Sequence, residues 1–251
     1  MNNRAIIFCL GMVLTCPVYS QVSSRIKTRL GIEDQLKDYG RVSYMGIDYY
    51  TTGKDSLLVK NWGHPSDSVV IPPILTIDKK PYQVTGFKDN AFEYDVKLRY
   101  ISLPSSITET SSSCFYGCSR LQECDMSHLE VIGAYSFFRT AFTNLTFSDG
   151  LRIIDSYAFT ECHSLKYVEL PASLKYISDC AFLGCSALDT VKVHFTTPIE
   201  IGSNVFWLYR ANAPRDRKVL MVPAGSKPAF EADDRWRLFQ EIIEFELGNV
   251  D

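Results

Sequence analysis

A motif of 22 or 23 residues recurs five times along the chain. Its clearest copies are LRIIDSYAFTECHSLKYVELPAS, which starts at Leu151, and LKYISDCAFLGCSALDTVKVHFT, which starts at Leu174. Earlier copies start at Val84, Ile107 and Leu129, so successive starts lie 23, 22, 22 and 23 residues apart. A unit this short cannot bury its own apolar anchors, and the copies must therefore stack on one another as a solenoid.

Each copy contains one segment with strand character and one without it. The pattern L-x-x-[IV]-x-[LV], as in residues 165–170, ends in period-2 alternation and is often followed by proline, which favours a short strand. The stretch around Ala-Phe, as in residues 155–162, lacks alternation and is predicted to return the chain as a short helix or turn. The predicted fold class is α/β, a solenoid in which a right-handed β-α superhelix of about five repeats spans residues 84–196.

Segments at both ends of the repeats are predicted to cover the apolar ends of the solenoid. Short strands separated by turn signals predict a β-rich N-terminal cap over residues 42–83. Residues 197–251 are interpreted as a degenerate sixth repeat and a C-terminal capping module. In that module Trp236 is interpreted as a capping side chain rather than a ligand platform.

Two repeat positions carry the same residue type in several copies. A phenylalanine recurs in all five copies and is interpreted as core, because a stripe of aromatic side chains at fixed spacing is typical of a buried column. A cysteine follows three residues later in three copies, at Cys118, Cys162 and Cys185. Buried reduced thiols are the favoured interpretation. A disulfide between adjacent copies is the alternative, since an exported protein can form disulfides and the first twenty residues, discussed next, indicate export.

The first twenty residues resemble a secretory signal peptide. Arg4 precedes a short apolar run, and small residues precede a predicted cleavage site after Ser20. A lipoprotein signal with Cys16 as the lipidated residue is the alternative. Residues 21–41 form a polar N-terminal segment, and no later segment reaches the roughly 18 apolar residues that a transmembrane helix needs. We therefore expect a secreted or cell-surface protein without a transmembrane segment after signal removal.

Charge and motifs exclude several classes of function. The formal net charge is -3, so the chain has no basic excess with which to bind nucleic acid. It contains no GxSxG, GxxxxGK[ST], HExxH or CxxC motif, and its four histidines stand at different repeat positions. The sequence therefore predicts no catalytic, metal-binding or cofactor-binding residue, no cofactor, and a protein that is not an enzyme.

The repeat units AFTECHSLKYVELP and AFLGCSALDTVKV resemble the BspA-like leucine-rich repeats of exported bacterial proteins. The resemblance extends from Val42 to Phe245 and is weakest over residues 107–150, where two copies depart from the pattern and one has lost a residue. We expect a local kink or looser packing there. The resemblance implies adhesion-type roles, which in some members include attachment to host matrix proteins.

The outward positions of the predicted strands form the candidate ligand face. Its residues are Arg99, Tyr100, Glu123, Asn144, Lys166, Tyr167, Glu169 and Lys192. The first hypothesis is a non-enzymatic, adhesin-like binding protein that contacts a host or partner protein or a glycan through this face. The alternatives are a structural or accessory subunit of a cell-surface complex, and a hydrolase with an unrecognised site.

Overall fold

The computed structural model describes residues 40–53, 55–61, 66–208 and 218–246. The predicted signal peptide, the segment 21–39 and part of the loop before the C-terminal module lie outside the described residues. Within them, strands dominate, and the only α-helix is α1 (Lys227–Ala232).

The N-terminal part contains six strands. They are β1 (Arg41–Tyr44), β2 (Ile47–Thr51), β3 (Ser56–Lys60), β4 (Ser68–Val70), β5 (Ile74–Ile77) and β6 (Lys80–Phe87). Five of them form a sheet in the order β1-β2-β3-β6-β5, in which only β3 and β6 pair in parallel. Alternate residues of its central strands, including Tyr49, Leu57, Val59 and Val84, are fully buried. The last strand, β6, continues past residue 83, where the sequence predicts the cap to end.

The repeats build a stack of parallel strands. One side of the coils carries β7 (Tyr100–Ser102), β8 (Glu123–Cys124), β10 (Asn144–Thr146), β12 (Tyr167–Leu170), β14 (Thr190–Val193), β16 (Val219–Pro223) and β17 (Glu241–Phe245). The strand β4 starts this stack by pairing with β7, and β17 ends it. Residues one repeat apart lie side by side, as Tyr167 and Thr190 do, so the 23-residue period becomes one rung of the stack.

Four successive coils, from the one that starts at Leu129 onward, also contribute to a second, shorter stack that the sequence interpretation did not include. It consists of β9 (Val131–Ile132), β11 (Ile153–Ile154), β13 (Tyr176–Ile177) and β15 (Glu200–Ile201), which pair in parallel in that order. These strands have two residues each, so they show no alternation that would separate them from a loop.

The segment that joins the two stacks is a turn and not a helix, which corrects the predicted β-α alternation. In each complete coil the residues two before and two after the phenylalanine have left-handed backbone, with φ between +56° and +74°. They are Asn90, Tyr94, Ser113, Gly117, Tyr135, Arg139, Tyr157, Glu161, Cys180 and Gly184. A right-handed helix cannot contain such residues. We call this segment, from two residues before the phenylalanine to two after it, the phenylalanine turn. Its alternate N–H groups donate to the next coil, as the N–H of Phe137 does to the carbonyl of Ala158 at 2.9 Å.

The phenylalanine column forms the centre of the core, as predicted. Phe115, Phe137, Phe159 and Phe182 have no exposed surface, and their rings stack at centroid distances of 5.2 to 5.3 Å. The stack continues at both ends, to Phe92 at 5.4 Å and to Phe206 of the degenerate sixth repeat at 5.5 Å. Near-parallel rings at this spacing stabilise the stack beyond the burial of their area.

The cysteine column lies directly beside these rings. All six cysteines of the described residues are free, and five are buried. The column thiols donate to phenylalanine carbonyls of an earlier coil: Cys118 to Phe92 at 2.9 Å, Cys162 to Phe137 at 3.3 Å and Cys185 to Phe159 at 3.1 Å. Burial raises the pKa of the Cys118 thiol to about 12. A small weak donor thus satisfies a buried carbonyl at this position, which explains why cysteine recurs there.

The C-terminal module covers the last coil with aromatic side chains. Trp236 is fully buried, and its indole nitrogen donates to the carbonyl of Ile199 at 3.0 Å. Its ring contacts Phe206, Phe230 and Phe239. The ring is therefore part of the core and presents no free face to a ligand.

Candidate binding face

The eight candidate residues all lie on the solvent side of the first strand stack, which we call the strand face. None of them is buried: four are exposed and four are half-buried. Strand pairing places Tyr100 beside Glu123, Asn144 beside Tyr167, and Glu169 beside Lys192. Arg99 and Lys166 directly precede their strands. The face therefore consists of two groups of side chains, one on β7 and β8 and one on β10, β12 and β14.

In the second group, three polar side chains converge on one carboxylate. Glu169 accepts hydrogen bonds from the Tyr167 hydroxyl at 2.9 Å, from the Lys192 ammonium at 2.9 Å and from His194 Nε2 at 2.6 Å. The Lys192 ammonium also lies 4.6 Å from the ring centroid of Phe245, on β17, which is separated from β14 by β16. The Glu169 carboxylate and the Lys192 ammonium therefore neutralise each other within the protein.

The electrostatics of this cluster follow from its donors. Partial burial disfavours the charged form of Glu169, but the hydrogen bonds from Lys192, His194 and Tyr167 outweigh it and lower the pKa of the carboxyl group to about 2. Burial, together with the bond to Glu169, raises the pKa of Tyr167 to about 12. Glu169 is thus ionised and Tyr167 neutral at physiological pH.

Two residues of this cluster, His194 and Phe245, were not among the candidates. His194 follows Lys192 by two residues, and the period-2 alternation of a strand would place both on one face. Phe245 lies 75 residues after the end of β12 in sequence and reaches the cluster only because β17 pairs with β16. No signal in the repeat pattern marks its position.

Between the two groups, from β8 to β10, the strand stack is interrupted. The described strands form one sheet of β4, β7 and β8 and another of β10, β12, β14, β16 and β17. The interruption follows from one missing residue, because Leu145 lies eight residues after Phe137, whereas Val168 lies nine after Phe159. This is the region for which the sequence predicts a kink or looser packing.

A cleft of about 340 Å³ opens on the strand face at this interruption, and we call it the interstrand cleft. Its lining residues include Tyr100, Glu123, Asp125, Met126, Phe142, Asn144 and Leu145. Two of the lining residues carry a carboxylate and three are buried apolar side chains. The cleft thus combines an apolar floor with a polar, acidic rim, as small ligand sites do.

The phenylalanine turns carry a second row of aromatic side chains on a different side of the coils. Tyr116 stacks on Phe138 at 4.5 Å, and Tyr135 stacks on Tyr157 at 4.7 Å. Because the faces of these rings cover one another, they offer little free aromatic surface to a sugar or peptide. Tyr94, at the N-terminal end of the row, is 62% exposed.

The described residues contain no group of three or more His, Cys, Asp or Glu side chains placed to hold a metal ion. Nor is any of their helices long and apolar enough to span a bilayer.

Comparison with known proteins identifies the repeats. The pattern described as BspA type Leucine rich repeat region matches residues 75–151 and 130–211, in six copies. Comparison with curated proteins finds no relative. Among solved structures, the pneumococcal vaccine antigen PcpA is 20% identical, with a TM-score of 0.58, over 74% of this chain and 51% of its own. The leucine-rich repeat protein TpLRR of T. pallidum is 23% identical, with a TM-score of 0.51, over 86% of this chain and 87% of its own.

The likeness to these structures supports the fold alone, and this chain spans about half the length of the PcpA structure. The repeat match carries more weight, because it covers more than half of the chain. The chain belongs to the BspA-type leucine-rich repeat family.

Proposed function

We propose that this protein is an exported or cell-surface binding protein without enzymatic activity, and that it contacts a protein or glycan ligand through the strand face. The role is adhesin-like. The observation that carries this proposal is the arrangement of the eight candidate residues, which successive coils present on the same side of the solenoid in two groups. Solenoid proteins generally use such extended surfaces for recognition.

The chemistry of the face supports recognition of a macromolecule. Tyrosine side chains supply large contact area at low entropic cost, and the mixed charges around them give specificity. Neither Tyr100 nor Tyr167 is buried, and both carry charged neighbours, Glu123 and Glu169. The predicted signal peptide and membership of a family of bacterial surface proteins support placement outside the cytoplasm.

The test is a binding screen of the mature protein against an array of extracellular-matrix proteins and glycans. We expect Tyr100→Ala and Tyr167→Ala each to weaken binding of any ligand found by about tenfold. A tyrosine that becomes buried at the centre of an interface on binding typically contributes about 1 kcal/mol or more. Tyr94→Ala, which truncates an exposed tyrosine on the phenylalanine turns, is the matched control and should bind as wild type.

The possible outcomes separate the alternatives. If both strand-face variants bind every ligand with wild-type affinity, the proposal fails. If the array finds no ligand but the protein copurifies with a partner subunit from its own cells, the accessory-subunit hypothesis is correct instead.

A further inference from the structure

We propose that the interstrand cleft receives a basic side chain, arginine or lysine, that a partner polypeptide presents to the strand face. This inference rests on the proposed function and specifies the chemistry of its ligand. It is drawn from the shape of the cleft, its charge and the interruption of the strand stack that forms it.

The cleft has the dimensions of a side-chain pocket. Its volume of about 340 Å³ lies at the low end of the range for ligand pockets, about 300–1,000 Å³. The strands beside it have two and three residues, too few for an extended peptide to pair along either edge. A single side chain inserted from outside is therefore a better fit than an added strand.

The floor of the cleft suits an aliphatic stem. Met126, Phe142 and Leu145 line it, and all three side chains are more than nine-tenths buried. Lysine and arginine bury their methylene groups against apolar surface while the charged group remains at a polar rim. Tyr100 lines the same cleft and offers an aromatic ring to a guanidinium or ammonium group.

The rim of the cleft is anionic. Glu123 and Asp125 line it, and neither forms an ion pair with a described residue, in contrast to Glu169 at the other end of the face. The Asp125 carboxylate is oriented by the backbone N–H of Ser127, at 3.0 Å. The neighbouring cation, Arg99, donates to the Gln122 side chain at 3.3 Å. A cationic ligand group would therefore gain charge complementarity that an anionic or neutral group would not.

The cleft opens where the strand stack is interrupted. No strand pairing among the described residues joins β8 to β10, and the residues that line the cleft come from both sides of this gap. Guanidinium and ammonium groups carry only donors, five on arginine and three on lysine. They match an opening lined by the carboxylates of Glu123 and Asp125.

The experiment titrates isotope-labelled mature protein with the peptide acetyl-Gly-Arg-Gly-amide and with its lysine counterpart, and follows backbone amide shifts by NMR. The control peptide contains citrulline, which keeps the shape of arginine but lacks its charge. We expect saturable shifts centred on residues 122–126 and 142–146 with the basic peptides, and at least fivefold weaker binding of the citrulline peptide.

Two variants test the rim. Glu123→Gln and Asp125→Asn preserve shape and should each weaken binding of the arginine peptide severalfold, whereas Glu241→Gln, an exposed carboxylate elsewhere on the strand stack, should leave it unchanged. Absence of shifts in the cleft, or equal binding of the citrulline peptide, would overturn the inference. Shifts located instead around Tyr167 and Lys192 would overturn the inference and leave the proposed function standing.

Discussion

At the scale of single residues, the stability of this solenoid depends on the column of stacked phenylalanines. Each inner ring of the column is covered on both faces by the rings of the coils before and after it, at about the same spacing throughout. Phe159 also contacts Phe142 and Phe147. Loss of one ring therefore leaves a cavity whose walls are held in place by backbone hydrogen bonds between coils and cannot collapse easily.

The substitution Phe159→Ala should lower the free energy of unfolding by about 3–5 kcal/mol, the usual cost of deleting a fully buried ring. Urea denaturation followed by circular dichroism measures the change. Leu238→Ala, at a side chain that is 82% exposed, is the control and should have little effect. Equal unfolding midpoints for Phe159→Ala and wild type would show that the column is not the core of the fold.

At the scale of elements, the cluster around Glu169 ties three strands of the stack together. Tyr167 and Glu169 lie on β12, Lys192 on β14, and the Phe245 ring beneath the ammonium lies on β17. A single ionised carboxylate thus links two neighbouring coils. The contribution of this cluster to stability must depend on pH, because it exists only while the carboxyl group is ionised.

We expect Glu169→Gln to destabilise the protein at pH 6 and to do so progressively less as the pH falls. The pKa of Glu169 lies at about 2, below its ordinary value of 4.5. Its stabilisation is therefore fully present above pH 4.5 and is lost as the pH falls toward 2. Urea midpoints of wild type and variant at pH 6, 4.5 and 3 test this, with Glu241→Gln as the control. A difference between wild type and variant that is constant, or that grows toward pH 3, would contradict the assigned hydrogen bonds.

Much of the element order could be predicted from the repeat alone, because stacked coils turn equal spacing into spatial proximity. The turns could not, since their left-handed positions are mostly occupied by residues such as Tyr157 and Glu161 rather than by glycine. The only sequence signal of the interstrand cleft is one missing residue in a repeat. That signal predicts a local irregularity in the packing of the coils but not a cleft of a particular shape. The Glu169 cluster could be predicted in part, because Phe245 reaches it through an irregular connection outside the repeat period.

At the scale of the whole molecule, the sides of the solenoid differ in which groups remain accessible to a ligand. On the phenylalanine turns, aromatic rings stack on one another and alternate backbone N–H groups are bonded to the next coil. The strand face instead presents side chains from successive coils, with a self-neutralised cluster on β12 and β14 and an open acidic cleft between β8 and β10. This asymmetry favours recognition through the strand face.

The most direct test of that claim is amide hydrogen exchange of the mature protein, measured with and without a ligand found in the binding screen. We predict that ligand protection concentrates on the strand face, over residues 99–102, 122–126, 142–146 and 166–169. Protection confined to the phenylalanine turns, over residues 90–95, 113–118 and 135–140, would contradict the account.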